Sequence, residues 1–420
     1  MAVSQRKRLG AWYTPAALVD AVVAEVARGV FSERAPVSVL DPACGDGRFL
    51  AAVAEALASR GIAATLTGVD IDPDAAVFRP SRLQGEWICA DARTIDWRDR
   101  RFDIIVGNPP FLNQLSSATS RGGRSVFGGG PYADVAAEFL ALSMKLASPG
   151  GRVGLVLPQS LLAARDAGAI RADVASRGAL RWMWWSPTSM FDAEVHCWAG
   201  VWDVGAAQRP EVRRVFGDSF VTIPPAAWPD GAAGSWSGLI ADVARPAVPA
   251  GHATLGSIAM FKVDFRDQYY GLVGAVGDGG EGSPLITSGL IEPGRCLWGS
   301  RPTRFAKQRF AAPRVDLAML SPKMRQWSAQ RLVPKILIAN QTRVIEAVHD
   351  PLGMWLPSVP VITCIAADAD RVLDVLGSTA ATEWVRYHAA GSGLSADAVR
   401  LNPRLLASIP LPDARSATAP

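Results

Sequence analysis

The run Val37-Ser38-Val39-Leu40-Asp41-Pro42-Ala43-Cys44-Gly45-Asp46-Gly47 decides how the first half of the chain folds. Val37 to Leu40 reads as a short buried strand, Asp41 and Pro42 end it, and two glycines allow a tight turn. Phe49 to Ser59 then repeats apolar residues at helical spacing. A helix N-terminus that follows such a turn presents unpaired amide groups, so the arrangement suits a bound cofactor. Dinucleotide enzymes use the same device, but the spacing here is not GxGxxG.

Outward from this run the alternation of strand and helix continues. Further strands are expected at Thr65 to Asp70, Glu86 to Cys89, Phe102 to Val106, Arg152 to Leu157, Leu180 to Trp185 and His196 to Val204, with helices at Asp134 to Leu146 and Leu161 to Ala175. That rhythm argues for a parallel α/β sheet covered on both faces. Residues 205 to 250 interrupt it with Pro210, Pro224, Pro225, Pro229, Pro246 and several glycines, so the boundary is placed there. Two domains are expected, 1–245 and 246–420, the second an irregular α+β domain.

Composition narrows the function. The chain has 420 residues, 49% of them hydrophobic, which is enough for more than one core. Five cysteines without a CxxC pair and only four histidines point away from a disulfide framework and from a metal site. No apolar run reaches membrane-spanning length and the N-terminus lacks a signal-peptide core, so a cytoplasmic protein without a membrane partner is expected. A net charge of +4 names no partner by itself.

Two further stretches carry chemistry. Asp70, in Gly68-Val69-Asp70-Ile71-Asp72-Pro73 at the end of the second strand, can accept hydrogen bonds from ribose hydroxyls; with the glycine turn it indicates a nucleoside cofactor. The strand Phe102 to Val106 delivers Gly107-Asn108-Pro109-Pro110-Phe111. Consecutive prolines fix the backbone and remove amide donors, so carbonyls there can accept. With the Asn108 side-chain oxygen they can hold both hydrogens of a planar amino group and point its lone pair at a methyl donor, while the Phe111 ring stacks on a base.

On these residues the sequence resembles the gamma-class N6-adenine DNA methyltransferases of restriction-modification systems, over nearly the whole chain. Gly10-Ala11-Trp12-Tyr13-Thr14-Pro15 looks like the family's N-terminal motif at the methionine end of the cofactor, Ala90-Asp91-Ala92 like its segment near the cofactor adenine or the target amino group, and Met190-Phe191-Asp192 like the motif whose Phe stacks on a flipped base. Phe261 to Tyr270, Lys335 to Arg343 and Asn402 to Pro412 look similar to parts of its target recognition domain. The resemblance implies a class I methyltransferase (Rossmann-like) seven-stranded sheet plus a C-terminal α+β target recognition domain. It further implies S-adenosyl-L-methionine as cofactor, held by Tyr13, Thr14, Asp41, Ala43, Gly45, Gly47, Asp70 and Asp91, and catalysis by Asn108, Pro109, Phe111 and Phe191 on a flipped adenine. Double-stranded DNA is the implied partner, acted on by a monomer, with a separate restriction endonuclease or defence-system subunits as further partners. Phe111 departs from the commoner Tyr, and Asp192 and Glu194 stand where relatives often carry bases.

In the second part, Arg295 to Arg343 holds eleven basic residues and one acid, Asp316, interleaved with Trp298, Phe305, Phe310 and Trp327. Such a mixture suits phosphate contact, although a solvated face is the plainer reading. An RNA base or protein glutamine methyltransferase would pose the same chemical problem at its target nitrogen. A catalytically degenerate DNA-binding subunit is the non-enzymatic alternative.

Overall fold

The computed structural model describes residues 14–29, 36–78, 83–111, 125–131, 133–188, 196–229, 234–248, 251–393 and 398–412. The chain divides into two compact units, Met1–Ile240 and Ala241–Pro420.

In the first unit, α1 (Ala16–Val26) precedes β1 (Val37–Asp41), α2 (Arg48–Ala58), β2 (Ala64–Asp70), β3 (Glu86–Cys89) and β4 (Phe102–Gly107). After α3 (Val135–Leu146) and β5 (Ala147–Pro158) come the short α4 (Ser160–Ala163), α5 (Gly168–Arg177), β6 (Gly178–Trp185), β7 (Cys197–Val204), β8 (Glu211–Phe216) and β9 (Val221–Ala227). The strands form one sheet in the order β3-β2-β1-β4-β5-β7-β6-β8-β9. Pairings from β3 through β5 are parallel, and β7 runs antiparallel to both β5 and β6. Ile104, Ile105 and Val106 are all fully buried; consecutive strand residues point to opposite faces, so both faces of β4 are covered. One face packs with Leu18, Val22 and Val26 of α1 and Phe49, Leu50, Val53 and Leu57 of α2.

The seven expected strands are present, and two more extend the sheet. β8 and β9 lie in the proline-rich stretch read from sequence as a break. Pro224 and Pro225 are accommodated because β9 is the outermost strand, where a missing amide donor breaks no ladder. The single helix expected over Leu161 to Ala175 is also interrupted, at Ala164. The buried guanidinium of Arg171 takes up the carbonyls of Leu161 and Ala164 there, each at 2.8 Å, which offsets the lost helical bonds. Cys44 is buried as its small size suggests, whereas Cys89, on the edge strand β3, is exposed.

The second unit is α+β. An antiparallel sheet takes Ala259–Val263, Ile362–Ala366, Lys335–Ile338 and Ala347–Asp350 in that order. Its core joins Phe261, Ile336 and Ile338 to Val372, Val385 and Leu406 from three helices. A second sheet of four short strands joins Val276–Asp278, Pro313–Val315, Ser283–Ile286 and Leu356–Pro357. The strands Thr303–Phe305 and Gln308–Phe310 form a separate hairpin. Among the described residues no helix is long and apolar enough to cross a membrane.

Candidate active site

Strand order reverses direction at β1, whose neighbours are β2 on one side and β4 on the other. In open α/β sheets the crevice at the carboxyl ends of such a pair is where ligands bind. Here those ends carry Asp41, Asp70 and Asn108.

Asp41 is buried, 1% exposed, and its Oδ1 accepts the Ala43 amide at 3.1 Å. A Cβ placed on Gly107 would lie 2.5 Å from that same Oδ1, so Gly107 leaves the room into which the carboxylate fits. Burial pushes the Asp41 carboxyl well above the usual range; the Ala43 amide opposes this, while the charges of Asp70 and Asp46 add to it. Half-buried Asp70 accepts from the Gly45 amide at 2.8 Å and from the Asp72 amide at 2.9 Å, one bond to each oxygen. Its pKa is also raised, mainly by burial, with the two amides pulling the other way.

The amides of the glycine turn are committed internally rather than left open. Those of Ala43 and Gly45 go to Asp41 and Asp70, that of Cys44 to the Val69 carbonyl and that of Gly47 to the Cys44 carbonyl. The turn therefore fixes the carboxylates more than it offers donors. Gly47 has φ +77°, left-handed backbone that glycine adopts without penalty, and a Cβ there would press on Leu83 and Trp87 at 3.3 Å.

Asn108 leaves β4 with its Nδ2 donating to the buried Thr14 hydroxyl at 3.0 Å. The same Thr14 accepts, through its carbonyl, from Arg48, whose guanidinium also pairs with Asp46 at 2.6 Å. Thr14, 94 positions away in sequence, is thus clasped between the glycine turn and the Asn-Pro-Pro-Phe segment. Pro109 is buried, and half-buried Phe111 packs against the core of α1 and α2. Asp91 is held by Arg93 at 2.7 Å, and Arg93 reaches on to the buried Glu138 of α3 at 2.7 Å. Burial would raise the Asp91 pKa, but the hydrogen bonds from Arg93 outweigh it and hold the carboxyl below its ordinary value.

The structure therefore brings Thr14, Asp41, Ala43, Gly45, Gly47, Asp70 and Asn108 together. It sets Asp91 in an ion pair of its own. Tyr13, Phe191 and the segment Met190-Phe191-Asp192 lie outside the described residues. Sequence reasoning missed Arg48, Arg93 and Glu138. A basic residue directly after the glycine turn was the available signal for Arg48; nothing local marks Glu138, which lies 45 positions from Arg93.

The first unit has a class I methyltransferase-like (Rossmann-like) fold: parallel strands in the order β3-β2-β1-β4-β5 and an antiparallel β7 inserted before β6, with acidic ends on β1 and β2. Residues 1–202 match the family model described as N-6 DNA Methylase. The type II methyltransferase M.TthHB8I of Thermus thermophilus is 32% identical over 194 residues, 41% of this chain and 40% of that protein. The type II methyltransferase M.CvrRI of Paramecium bursaria Chlorella virus XZ-6E is 33% identical over 110 residues, 26% of each. The chain thus spans less than half the length of these curated relatives. A methyltransferase subunit of a type I restriction-modification system from Streptococcus thermophilus aligns with a TM-score of 0.41 and 17% identity, over 49% of this chain and 47% of that one.

Proposed function

We propose that the protein methylates the exocyclic amine of adenine in double-stranded DNA, using S-adenosyl-L-methionine. The observation that carries this reading is the placement of Asn108-Pro109-Pro110-Phe111 at the carboxyl end of β4, directly after Gly107, which lies against Asp41, with Asn108 bonded to Thr14. Its support in the comparisons is the N-6 DNA Methylase match, which includes every one of these residues.

The site suits a cationic nucleoside. Asp46 and Asp70 both lie close enough to oppose ionisation of Asp41, so the crevice favours positive charge. When bound, S-adenosyl-L-methionine supplies an electrophilic methyl group on a sulfonium. Thr14 and Asp41 would hold its methionine portion, with Tyr13 assigned there by resemblance; Asp70 would hold the ribose. The turn of Ala43, Gly45 and Gly47 shapes the wall, and Asp91 would lie by the adenine ring or the target amine.

The remaining work is positioning and electrostatics, since in-line displacement by an amine needs no covalent enzyme intermediate. Asn108 gives its Nδ2 to Thr14, so its Oδ1 is the end with acceptor chemistry for an amino hydrogen. The carbonyls beside Pro109 and Pro110 are the second acceptor. Drawing on both hydrogens favours a tetrahedral nitrogen with its lone pair directed at the methyl group. Phe111 would stack on the base after it leaves the duplex, with Phe191 as the opposite face, recovering part of an unstacking cost of a few kcal/mol.

The test is direct. Purified protein, methyl-labelled cofactor and duplex DNA are incubated, and the DNA is digested to nucleosides for mass spectrometry. Label in N6-methyldeoxyadenosine is expected, and its absence from the Asn108→Ala reaction. Label in a cytosine derivative, or transfer to RNA or protein instead, would contradict the proposal.

A further inference from the structure

The eleven basic residues between Arg295 and Arg343 are not equivalent once folded. Arg295 and Arg301 both pair with Glu292, at 3.1 and 2.7 Å. Arg331 binds Asp264 at 2.5 Å, and Lys335 is buried against Asp350 at 2.5 Å. Arg314 donates to the Gly282 carbonyl at 2.7 Å and lies 4.5 Å from the Trp298 ring centre, while Arg325 donates to the Leu320 carbonyl at 3.0 Å. The basic run read from sequence is therefore largely consumed inside the unit.

The hairpin Thr303–Phe310 is different. Arg304 and Arg309 are directly opposite each other across its two strands, and both are exposed. Neither has an ion pair with an acid among the described residues, nor has Lys307 in the turn. Opposed residues of an antiparallel pair lie about 4.5–5.5 Å apart at Cα with their side chains on one face, and like charges so placed destabilise the pair. The other face is apolar and anchored: Phe305 and Phe310 are buried, and the Tyr269 ring lies 4.8 Å from that of Phe305. The Tyr269 hydroxyl accepts the Ala306 amide at 3.0 Å, and Thr303 and Thr287 share a 2.6 Å hydrogen bond at the base. Ala306 and Lys307 have φ of +48° and +67°, left-handed backbone in residues that carry a Cβ. A firmly held ribbon thus presents two uncompensated cations side by side and a third at its tip.

From this we infer that the hairpin is a contact surface for duplex DNA, with Arg304 and Arg309 neutralising backbone phosphates and Lys307 leading from the turn toward the groove. An anion between the two arginines turns their mutual repulsion into attraction, and a two-stranded ribbon is of a width that the major groove admits. The inference rests on DNA being the substrate.

Affinity of the full-length protein for a fluorescent 30-base-pair duplex of random sequence, about 30 base pairs being enough to cover a groove contact, is measured from about 50 to 200 mM salt. Two lost phosphate contacts lower the slope of log affinity against log salt by about 1.8. That drop is expected for R304A/R309A, with R304K/R309K keeping most of the slope and R295A/R301A, an equal change in net charge, leaving it within about half a unit of wild type. A wild-type slope in R304A/R309A, while the wild-type protein methylates DNA, would overturn the hairpin's role and leave the enzymatic reading standing. A wild-type protein that neither binds nor methylates the duplex would overturn both. Tighter binding to single-stranded RNA of the same length than to the duplex would overturn the duplex assignment.

Discussion

Asp41 carries a cost that its surroundings make explicit. Buried beside Gly107 and near the charges of Asp70 and Asp46, its carboxyl titrates well above the ordinary value of 3.8. A raised folded-state value means that the protonated form stabilises the fold fully below about 3.8, and that this contribution is lost as pH rises through the raised value. Asp41→Asn, which keeps an oxygen for the Ala43 amide, should therefore stabilise the cofactor-free protein at pH about 8, where the buried carboxyl is charged. Thermal melts should show this advantage shrinking as the buffer is taken toward pH about 4. Calorimetry should show weaker uptake of the cationic cofactor by the same variant. If the variant is no more stable at high pH, the buried charge is better compensated than the geometry indicates. Asn108→Ala should separate in the opposite manner, with cofactor affinity nearly intact and turnover reduced by at least about a hundredfold, the scale of losing one oriented polar group. Equal loss of both would assign Asn108 to the cofactor instead.

At the level of elements, much of the first unit was legible because its strands are short apolar runs that end in acids, glycines or prolines. Val37, Phe102 and Glu86 begin β1, β4 and β3 as their pattern indicates. β8 and β9 were not legible, since Pro224 and Pro225 read as a break unless it is known that their strand lies at a sheet edge. The break at Ala164 depends on Arg171, whose role emerges only when the chain has folded. In the site, Asp41, Asp70 and Asn108 could be read from their places after strands, whereas the clasp of Thr14 by Arg48 and Asn108 joins distant segments and has no local signature. The same limit applied to the basic run, where a charge count could not distinguish Arg331, paired with Asp264, from Arg304. The turn of the 303–310 hairpin offers an element-scale test. Two-residue hairpin turns with positive φ favour Asn-Gly, so Ala306→Asn with Lys307→Gly should stabilise the protein by about 1 kcal/mol, roughly 2–4 °C in a melt. It should also weaken DNA binding through the loss of Lys307. A more stable variant with unchanged DNA affinity would remove Lys307 from the contact.

For the whole molecule, the division at Ile240 and Ala241 separates two units with their own cores, one built on α1, α2 and the nine-stranded sheet and the other on Phe261, Ile336 and Val372. The sequence boundary at residue 245 lies close to that division, and the second unit is proposed as the part that recognises DNA. A protein ending at Ile240 should fold, bind cofactor with an affinity near that of the full chain and lose methylation of DNA; retained site-specific methylation would place recognition in the first unit. The central claim is that this chain places methyl groups on adenine N6 in duplex DNA through Asn108. Its most direct measurement is expression of the wild-type and Asn108→Ala proteins in a host whose own adenine methylation has been deleted, followed by sequencing that detects modified bases across the genome. Wild type should mark adenine N6 at one recurring short sequence and Asn108→Ala should leave the genome unmarked, whereas an unmarked wild-type genome, marks on cytosine, or equal marks from both proteins would contradict the account.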